Sequence, residues 1–421
     1  MSACFASTNK DGYGWMQIRL IGDGGRQIVW FTTYTSSFHY VCPMDLTNVV
    51  ADRVLAVGVE SYNPIAIARE LQGRVYFGSH GAVAPSRTWH FAEGPSTRPV
   101  DVFLLAYNPG DTPVTATYTY YRAAGDAPST TERTLPPGRT TVWVNADEPR
   151  LAGADYAVSV TANAPILVDR GLRWHPPGRT APQESVQNGT ATPSAEWYFP
   201  HLEAYKQSEE RLVLANPGDQ AAELEIAVYL TNAGPRVLRQ TVAARSRMAL
   251  RTADFGVDAA AGVRIVSTNG VRLVAEHTQE GLGAAAGRWA VAAPGATAAT
   301  RTWAVPTTHV ERGNRLVLFN PSDTEATVGI DGNHYSGYFD LETSTRFSFK
   351  VPPRRLRIID IDALENPATR GYGGIRSAIV RSLPDDKGIA GPNIVVARTG
   401  PAGALDVAVA RVETFIATRV D

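Results

Sequence analysis

Apolar and polar positions alternate with a period of two along Val114-Thr115-Ala116-Thr117-Tyr118-Thr119-Tyr120, which predicts a strand with one buried face. Upstream, the apolar run Phe103-Leu104-Leu105-Ala106-Tyr107 ends in Asn108-Pro109-Gly110, where Pro and Gly force a turn. Downstream, Pro136-Pro137-Gly138-Arg139 turns the chain into a strand over 140–144. Two further strands are predicted around 157–161 and 166–170, and an extended segment over Trp89-His90-Phe91-Ala92-Glu93-Gly94 opens the series. Seven short strands separated by turn signals predict an antiparallel β-sandwich.

The pattern repeats. Leu104-Leu105-Ala106-Tyr107-Asn108-Pro109-Gly110-Asp111 returns as Leu212-Val213-Leu214-Ala215-Asn216-Pro217-Gly218-Asp219 and as Leu316-Val317-Leu318-Phe319-Asn320-Pro321-Ser322-Asp323. Trp89, Trp197 and Trp303 open the three copies. The spacing is that of one sandwich domain of roughly 100 residues. The fold expected is therefore all-β, a rod of tandem immunoglobulin-like antiparallel sandwiches over 86–178, 195–292 and 300–421. A further, incomplete sandwich is expected over 1–85. The Pro- and Gly-rich stretch to Pro193, and the Ala- and Gly-rich stretch 281–300, are expected to be linkers.

Two departures from the repeat stand at its ends. Arg53 to Glu60 matches the sixth strand and Pro64-Ile65-Ala66-Ile67-Ala68-Arg69 matches Pro165-Ile166-Leu167-Val168-Asp169-Arg170. Counting back, Arg26 to Thr33 and Trp15 to Ile21 are the fourth and third strands, so the first unit is expected to lack its first two. At the other end, residues 404–421 are in surplus, and Leu405, Val407, Val409, Val412 and Phe415 give them an apolar face. A sandwich short of strands exposes backbone donors and acceptors. Residues 404–421 of one molecule are therefore candidates to complete the first unit of another by strand addition. The alternative is that they extend their own sheet, and that Ser7 to Tyr13 or a neighbouring repeat seals the first unit.

Composition narrows the chemistry. With 40 Lys and Arg against 41 Asp and Glu, the net charge of -1 supplies no attraction for nucleic acid. No apolar stretch approaches the roughly 20 residues of a membrane helix, and no basic region followed by an apolar run opens the sequence. Cys4 and Cys42 are the two cysteines, candidates for one disulfide; Met1-Ser2-Ala3-Cys4 also has the look of a lipidation box. The eight histidines form no local ligand pair, and neither a Gly-x-Ser-x-Gly elbow nor a Gly-x-x-x-x-Gly-Lys loop occurs. No catalytic residue, cofactor or metal site is therefore expected. An Asp recurs after the fifth strand, at 45, 147, 254 and 362, as the expected cap of a helical turn. Asp360, Asp362 and Glu365 raise calcium as the alternative. Trp89, Trp143, Trp174, Trp197, Trp289 and Trp303, with Tyr118, Tyr120 and Tyr121, are either core or a sugar-stacking platform.

Trp-His-Phe-Ala-Glu-Gly at 89–94, Leu-Leu-Ala-Tyr-Asn-Pro-Gly-Asp-Thr at 104–112, Pro-Pro-Gly-Arg-Thr-Thr-Val at 136–142 and Pro-Ile-Leu-Val-Asp-Arg at 165–170 resemble a tandem repeat of secreted bacterial surface proteins. The second copy departs from Phe-Ala-Glu-Gly with Phe199-Pro200-His201-Leu202, and the third with Val305-Pro306-Thr307-Thr308. The resemblance implies an extracellular or cell-surface location and carries over no catalytic residue. The function expected is a non-enzymatic structural subunit of a bacterial filament or surface layer, self-associating or bound to other surface proteins. A carbohydrate-binding or adhesive accessory module, with cell-surface glycan as partner, is the alternative.

Overall fold

The computed structural model describes 2–7, 14–21, 27–35, 40–45, 56–61, 65–71, 77–80, 82, 84–97, 100–175, 183–203, 208–231, 233–257, 260–281, 290–306, 315–334, 343–361, 363–364, 375, 377–399, 414–416 and 418–419. Before residue 82 it describes strands by their backbone. Unit 1 holds β1 (Ser2–Ser7), β2 (Gly14–Ile21), β3 (Gln27–Thr35), β4 (Tyr40–Asp45), β5 (Ala56–Ser61), β6 (Ile65–Leu71) and β7 (Phe77–His80). Unit 2 holds β8 (Ser86–Gly94), β9 (Asp101–Asn108), β10 (Val114–Tyr121), β11 (Ser129–Leu135), β12 (Gly138–Trp143), β13 (Tyr156–Trp174) and β14 (Gln183–Asn188). Unit 3 holds β15 (Glu196–Glu203), β16 (Ser208–Asn216), β17 (Ala222–Leu230), β18 (Arg236–Val242), β19 (Ser246–Arg251), β20 (Ala260–Ser267), β21 (Val274–Gly281) and β22 (Ala290–Pro294). Unit 4 holds β23 (Thr302–Pro306), β24 (Arg315–Asn320), β25 (Ala326–His334), β26 (Thr343–Val351), β27 (Arg355–Asp360), β28 (Ser377–Ser382), β29 (Val395–Thr399), β30 (Thr414–Ile416) and β31 (Thr418–Arg419).

The architecture is all-β, as the alternation predicts. In unit 3 one sheet runs β15-β20-β17-β18 and the other β19-β16-β21-β22, with every pair antiparallel. Unit 2 has the same two sheets, but β13 is long enough to serve both. Its first half pairs with β10 and β8, its second with β9 and β14. Unit 4 repeats the plan with β23-β28-β25-β26 and β27-β24-β29-β30.

Three sequence expectations change. The segments 176–193 and 281–300 are not plain linkers, because each contains an eighth strand, β14 or β22, on the sheet edge. The composition of β14, Gln-Glu-Ser-Val-Gln-Asn, hides its alternation. Unit 1 lacks one strand rather than two among the described residues. Its β1 lies between β4 and β6, the place held by β9 between β12 and β13, so only a counterpart of β8 is missing. Nor is the described end of the surplus segment an addition to the plan. β30 pairs with β29 as β14 pairs with β13, and Thr418 pairs with Ala304 where Thr190 pairs with His90.

The units contact one another cyclically, not as the expected rod. β8 of unit 2 touches β16 and β21 of unit 3; β15 of unit 3 touches β24 and β29 of unit 4; β23 of unit 4 touches β1 and β6 of unit 1. The edge strands also meet, β7 with β14, β14 with β22 and β30 with β7.

Two recurring side chains tie each of units 2, 3 and 4. The buried Trp of the opening strand donates its indole N–H to a carbonyl at the start of the seventh strand: Trp89 to Ile166 at 2.8 Å, Trp197 to Leu273 at 3.1 Å and Trp303 to Ile394 at 2.9 Å. The Asn of each Asn-Pro turn is buried too. Asn216 donates to the carbonyls of Gln220 (2.7 Å) and Val242 (3.1 Å) and accepts from the Gly218 amide (3.0 Å). Asn108 and Asn320 do the same in their own units. One side chain thus satisfies the turn and holds it to the end of the fourth strand. Asn216→Ala strands buried partners and is expected to cost about 2–3 kcal/mol of stability, read by urea denaturation.

Candidate functional site at the joints between units

A strand buried on one face alternates, yet Leu212-Val213-Leu214-Ala215 does not. Leu212 and Leu214 enter the core of unit 3. Val213 and Ala215, on the opposite face, pack with Val274 against Ala92, Tyr121 and Ala157 of unit 2. Sheets of successive units therefore stack face to face, and β16 is buried on both sides. Val291 and Ala292, near the end of unit 3, complete the unit 2 core.

A buried ionic cluster sits beside this apolar contact. Arg170 is 1 % exposed, Glu93 1 % and Glu276 0 %. Arg170 Nη1 lies 2.6 Å from Glu276 Oε2 and donates to the Glu93 carbonyl at 2.8 Å. Its Nη2 donates to the Ala292 carbonyl at 2.9 Å, and the guanidinium stands 5.4 Å from the Phe91 ring centroid. Glu276 Oε2 also accepts from the Glu93 backbone N–H at 2.9 Å. Arg247 closes the circuit, donating to Glu93 Oε2 at 2.6 Å and to the Ala92 carbonyl at 3.2 Å. Glu93 and Arg170 are the polar letters of the repeat signature, and here they hold one unit to the next.

The joint between units 3 and 4 is built differently. His201 stands in the position of Glu93, and Ala397 and Leu356 in those of Glu276 and Arg247. Phe319 of unit 4 meets Tyr229 edge-on at 5.1 Å and packs on Gly262, where a Cβ would lie 2.8 Å from its ring. His277 takes the place of Arg170 and lies 3.1 Å from Glu210, which also accepts from Gln279 at 2.7 Å.

The other candidates fall into place around these joints. Trp89, Trp174, Trp197 and Trp303 are buried, as are Tyr118, Tyr120 and Tyr121, so none of them forms an open stacking platform. Trp143 is half-buried, with the Arg173 guanidinium 4.3 Å above it and Phe103 at 5.1 Å. Trp289 lies outside the described residues. Asp254 accepts from the Arg251 backbone N–H at 3.3 Å and so caps its turn from inside. Asp147 does not cap; it ends its helical turn and lies 3.4 Å from Arg133. Asp45 ends β4, and Asp362 and Glu365 lie outside the described residues, in which no group of three or more His, Cys, Asp or Glu could hold a metal ion. Leu405, Val407, Val409 and Val412 also lie outside them, while Phe415 sits on β30 opposite Arg398. On β1 and β4, Ala3 pairs with Met44 and Phe5 with Val41, so Cys4 falls beside Cys42 and Pro43 at an irregularity in the register.

Sequence reasoning missed Arg247 and Glu276. Both had a signal: Arg247 occupies the position of Arg139 in the Pro-Pro-Gly-Arg turn, and Glu276 that of Asp169.

No protein-family model matches the chain, and no curated protein does. Among solved structures it is similar to the crystal structure of Thermotoga maritima 1070, with a TM-score of 0.23 and 16 % identity over 26 % of this chain and 96 % of that one.

Removing one partner of a buried ion pair leaves the other charge without compensation, whereas replacing both by apolar groups does not. Arg170→Ala is expected to cost about 3–5 kcal/mol, and Arg170→Met with Glu276→Leu to recover most of it; denaturant unfolding of both variants checks this. His90 supplies a pH test. Burial lowers its pKa from 6.5 to about 4, and it lies 2.7 Å from Ser159 Oγ. The unfolded chain takes up that proton first, so stability is full above pH 6.5 and falls as the pH drops toward 4. The loss is expected to be roughly 2 kcal/mol after allowing for partial exposure, and His90→Gln is expected to flatten it in melting curves recorded across that range.

Proposed function

We propose that this chain is a non-enzymatic structural component of a bacterial extracellular assembly, joined to other surface proteins by strand addition. One observation carries the reading: the sheet β3-β2-β5 of unit 1 ends, among the described residues, at β5, where units 2, 3 and 4 continue with β8, β15 and β23. An unfilled strand position on a preformed sheet offers main-chain hydrogen bonds to an extended segment. The polar residues of the repeat signature support the same reading, because Glu93 and Arg170 are spent on holding units together. The carbohydrate-binding alternative loses its support where the recurring Trp side chains are buried.

The expected strand donor, residues 404–421, is described only at its end. Residues 414–416 and 418–419 already pair with β29 and β23 of their own unit, so donating them would unmake two edges of unit 4. The acceptor edge is kept in the reading, with residues 404–421 as the segment proposed to fill it.

In cells that make the protein, protease treatment of intact cells is expected to cleave it, and electron microscopy of surface preparations to place it in an ordered assembly. Recovery as a monomer protected inside intact cells would sink the reading.

A further inference from the structure

Unit 2 breaks the common plan inside its own core. Counting from the buried Asn of each Asn-Pro turn, Tyr118 and Tyr120 on the inner face of β10 take the places of Ile226 and Val228 on β17 and of Ile330 and Gly332 on β25. In unit 4 a Cβ at Gly332 would lie 2.6 Å from the side chain of Ile375, which fills that space. Hydrocarbon therefore serves units 3 and 4 where unit 2 has two phenols. The neighbouring edge strand departs in the same way: Arg133 of β11 stands where β18 has Gln240 and β26 has Phe349.

These polar groups are shut away from solvent. Tyr118 is 0 % exposed and Tyr120 1 %. Neither hydroxyl has a hydrogen-bond partner among the described residues, and the buried Nε of Arg133 has none either. The far end of Arg133 is engaged: Nη2 lies 3.4 Å from Glu148 Oε1 and 3.4 Å from Asp147 Oδ2. Glu148 is itself buried, and its Oε2 lies 2.9 Å from Arg150, which donates to the Thr130 carbonyl of β11 at 2.9 Å. Arg133, Glu148 and Arg150 thus tie the turn after β12 to β11, within electrostatic reach of Tyr120. Burial raises the pKa of Tyr118 to about 12 and raises that of Tyr120 as well, with Glu148 adding to the second. Both phenols are neutral, and each can donate and accept.

We propose that unit 2 holds an internal hydration site, in which ordered water bonds the hydroxyls of Tyr118 and Tyr120 and Nε of Arg133 beneath a cover of Arg133, Glu148 and Arg150. A buried polar group without a partner loses its hydration and gains no hydrogen bond for it, so three in one core call for a common ligand. Arg133 Nε can only donate, so the ligand must accept, and the phenols can bond it in either sense. The charges beside it balance, Arg133 and Arg150 against Asp147 and Glu148, so no surplus of positive charge selects an anion. Water meets these terms: it accepts and donates, and a buried water is held by about two to four polar groups. Arg133 is then both ligand and cover, bonding water from Nε while Nη2 stays with the acids. The site sets unit 2 apart from units 3 and 4, and it holds whether or not the chain enters an assembly.

Tyr118→Phe and Tyr120→Phe test the site by the sign of their effect, because removing a bonded hydroxyl destabilises and removing an orphaned one does not. Each variant is expected to raise the unfolding equilibrium constant by roughly 5- to 30-fold in urea denaturation of the full chain. An unchanged or lowered constant in both would overturn the proposal. A high-resolution crystal structure of the unaltered chain gives a second readout that stands even where a variant does not fold. Density within hydrogen-bond distance of both hydroxyls and of Arg133 Nε is the expected result. Its absence would overturn the proposal, and so would an anomalous signal at that place in crystals soaked in bromide, which marks an anion instead of water.

Discussion

The stacking of one sandwich sheet on the next is the constraint from which the rest follows. A sheet with one wet face can alternate apolar and polar residues, and its outer face then places no demand on its neighbours. Here the second and seventh strands of units 3 and 4 are buried on both faces, so the residues along them must satisfy a partner on each side. Leu212 and Leu214 answer to the core of unit 3, and Val213 and Ala215 to unit 2. The consequence is that a unit's outer residues belong functionally to the unit beside it. Gly262 shows the tightness of that dependence, because its missing side chain is the space that Phe319 of the following unit occupies.

Once the apolar faces are stacked, polar groups at their rim must be paired or excluded from the joint. Units 2 and 3 take the first course, with Arg170, Glu276, Glu93 and Arg247 satisfying one another out of water. Units 3 and 4 pair theirs differently, with His277 and Gln279 on Glu210 within unit 3 beside the Tyr229–Phe319 contact. A buried ion cluster is a poor source of net stability, since desolvation offsets most of its attraction. Its effect here is selectivity: an opening strand bearing His201 would leave an Arg and an acid unmatched at the ionic joint, and one bearing Glu93 would bury a lone carboxylate at the aromatic joint. Sandwiches of one plan are thereby kept in one order around the chain.

Much of this was legible before any coordinates. Strand identities, the 108, 216 and 320 turns and the repeat itself follow from period-two alternation and from Asn-Pro, which are local signals. The eighth strand was not legible, because Gln183 to Asn188 pairs on an edge and needs no apolar face. Nor was the role of β1: Ser2-Ala-Cys-Phe-Ala-Ser lacks the Leu-rich run and the Asn-Pro turn of its counterparts, and only its pairing between β4 and β6 reveals the correspondence. Glu93 and Arg170 stood out as letters of the first full copy, but the letters that complete them lie in the next copy, Arg247 154 residues from Glu93 and Glu276 106 residues from Arg170. A signature read within one repeat cannot show a contact made between two.

Cyclic order adds a term that a linear array lacks. In an open row the terminal units each leave one stacking face uncovered, and polar capping residues are needed there. When unit 4 meets unit 1, that final contact is intramolecular, and its loss of freedom is already limited by the linkers that joined the earlier units. The joints between units 2 and 3, 3 and 4, and 4 and 1 then bring the remaining pair together, where β7 of unit 1 touches β14 of unit 2.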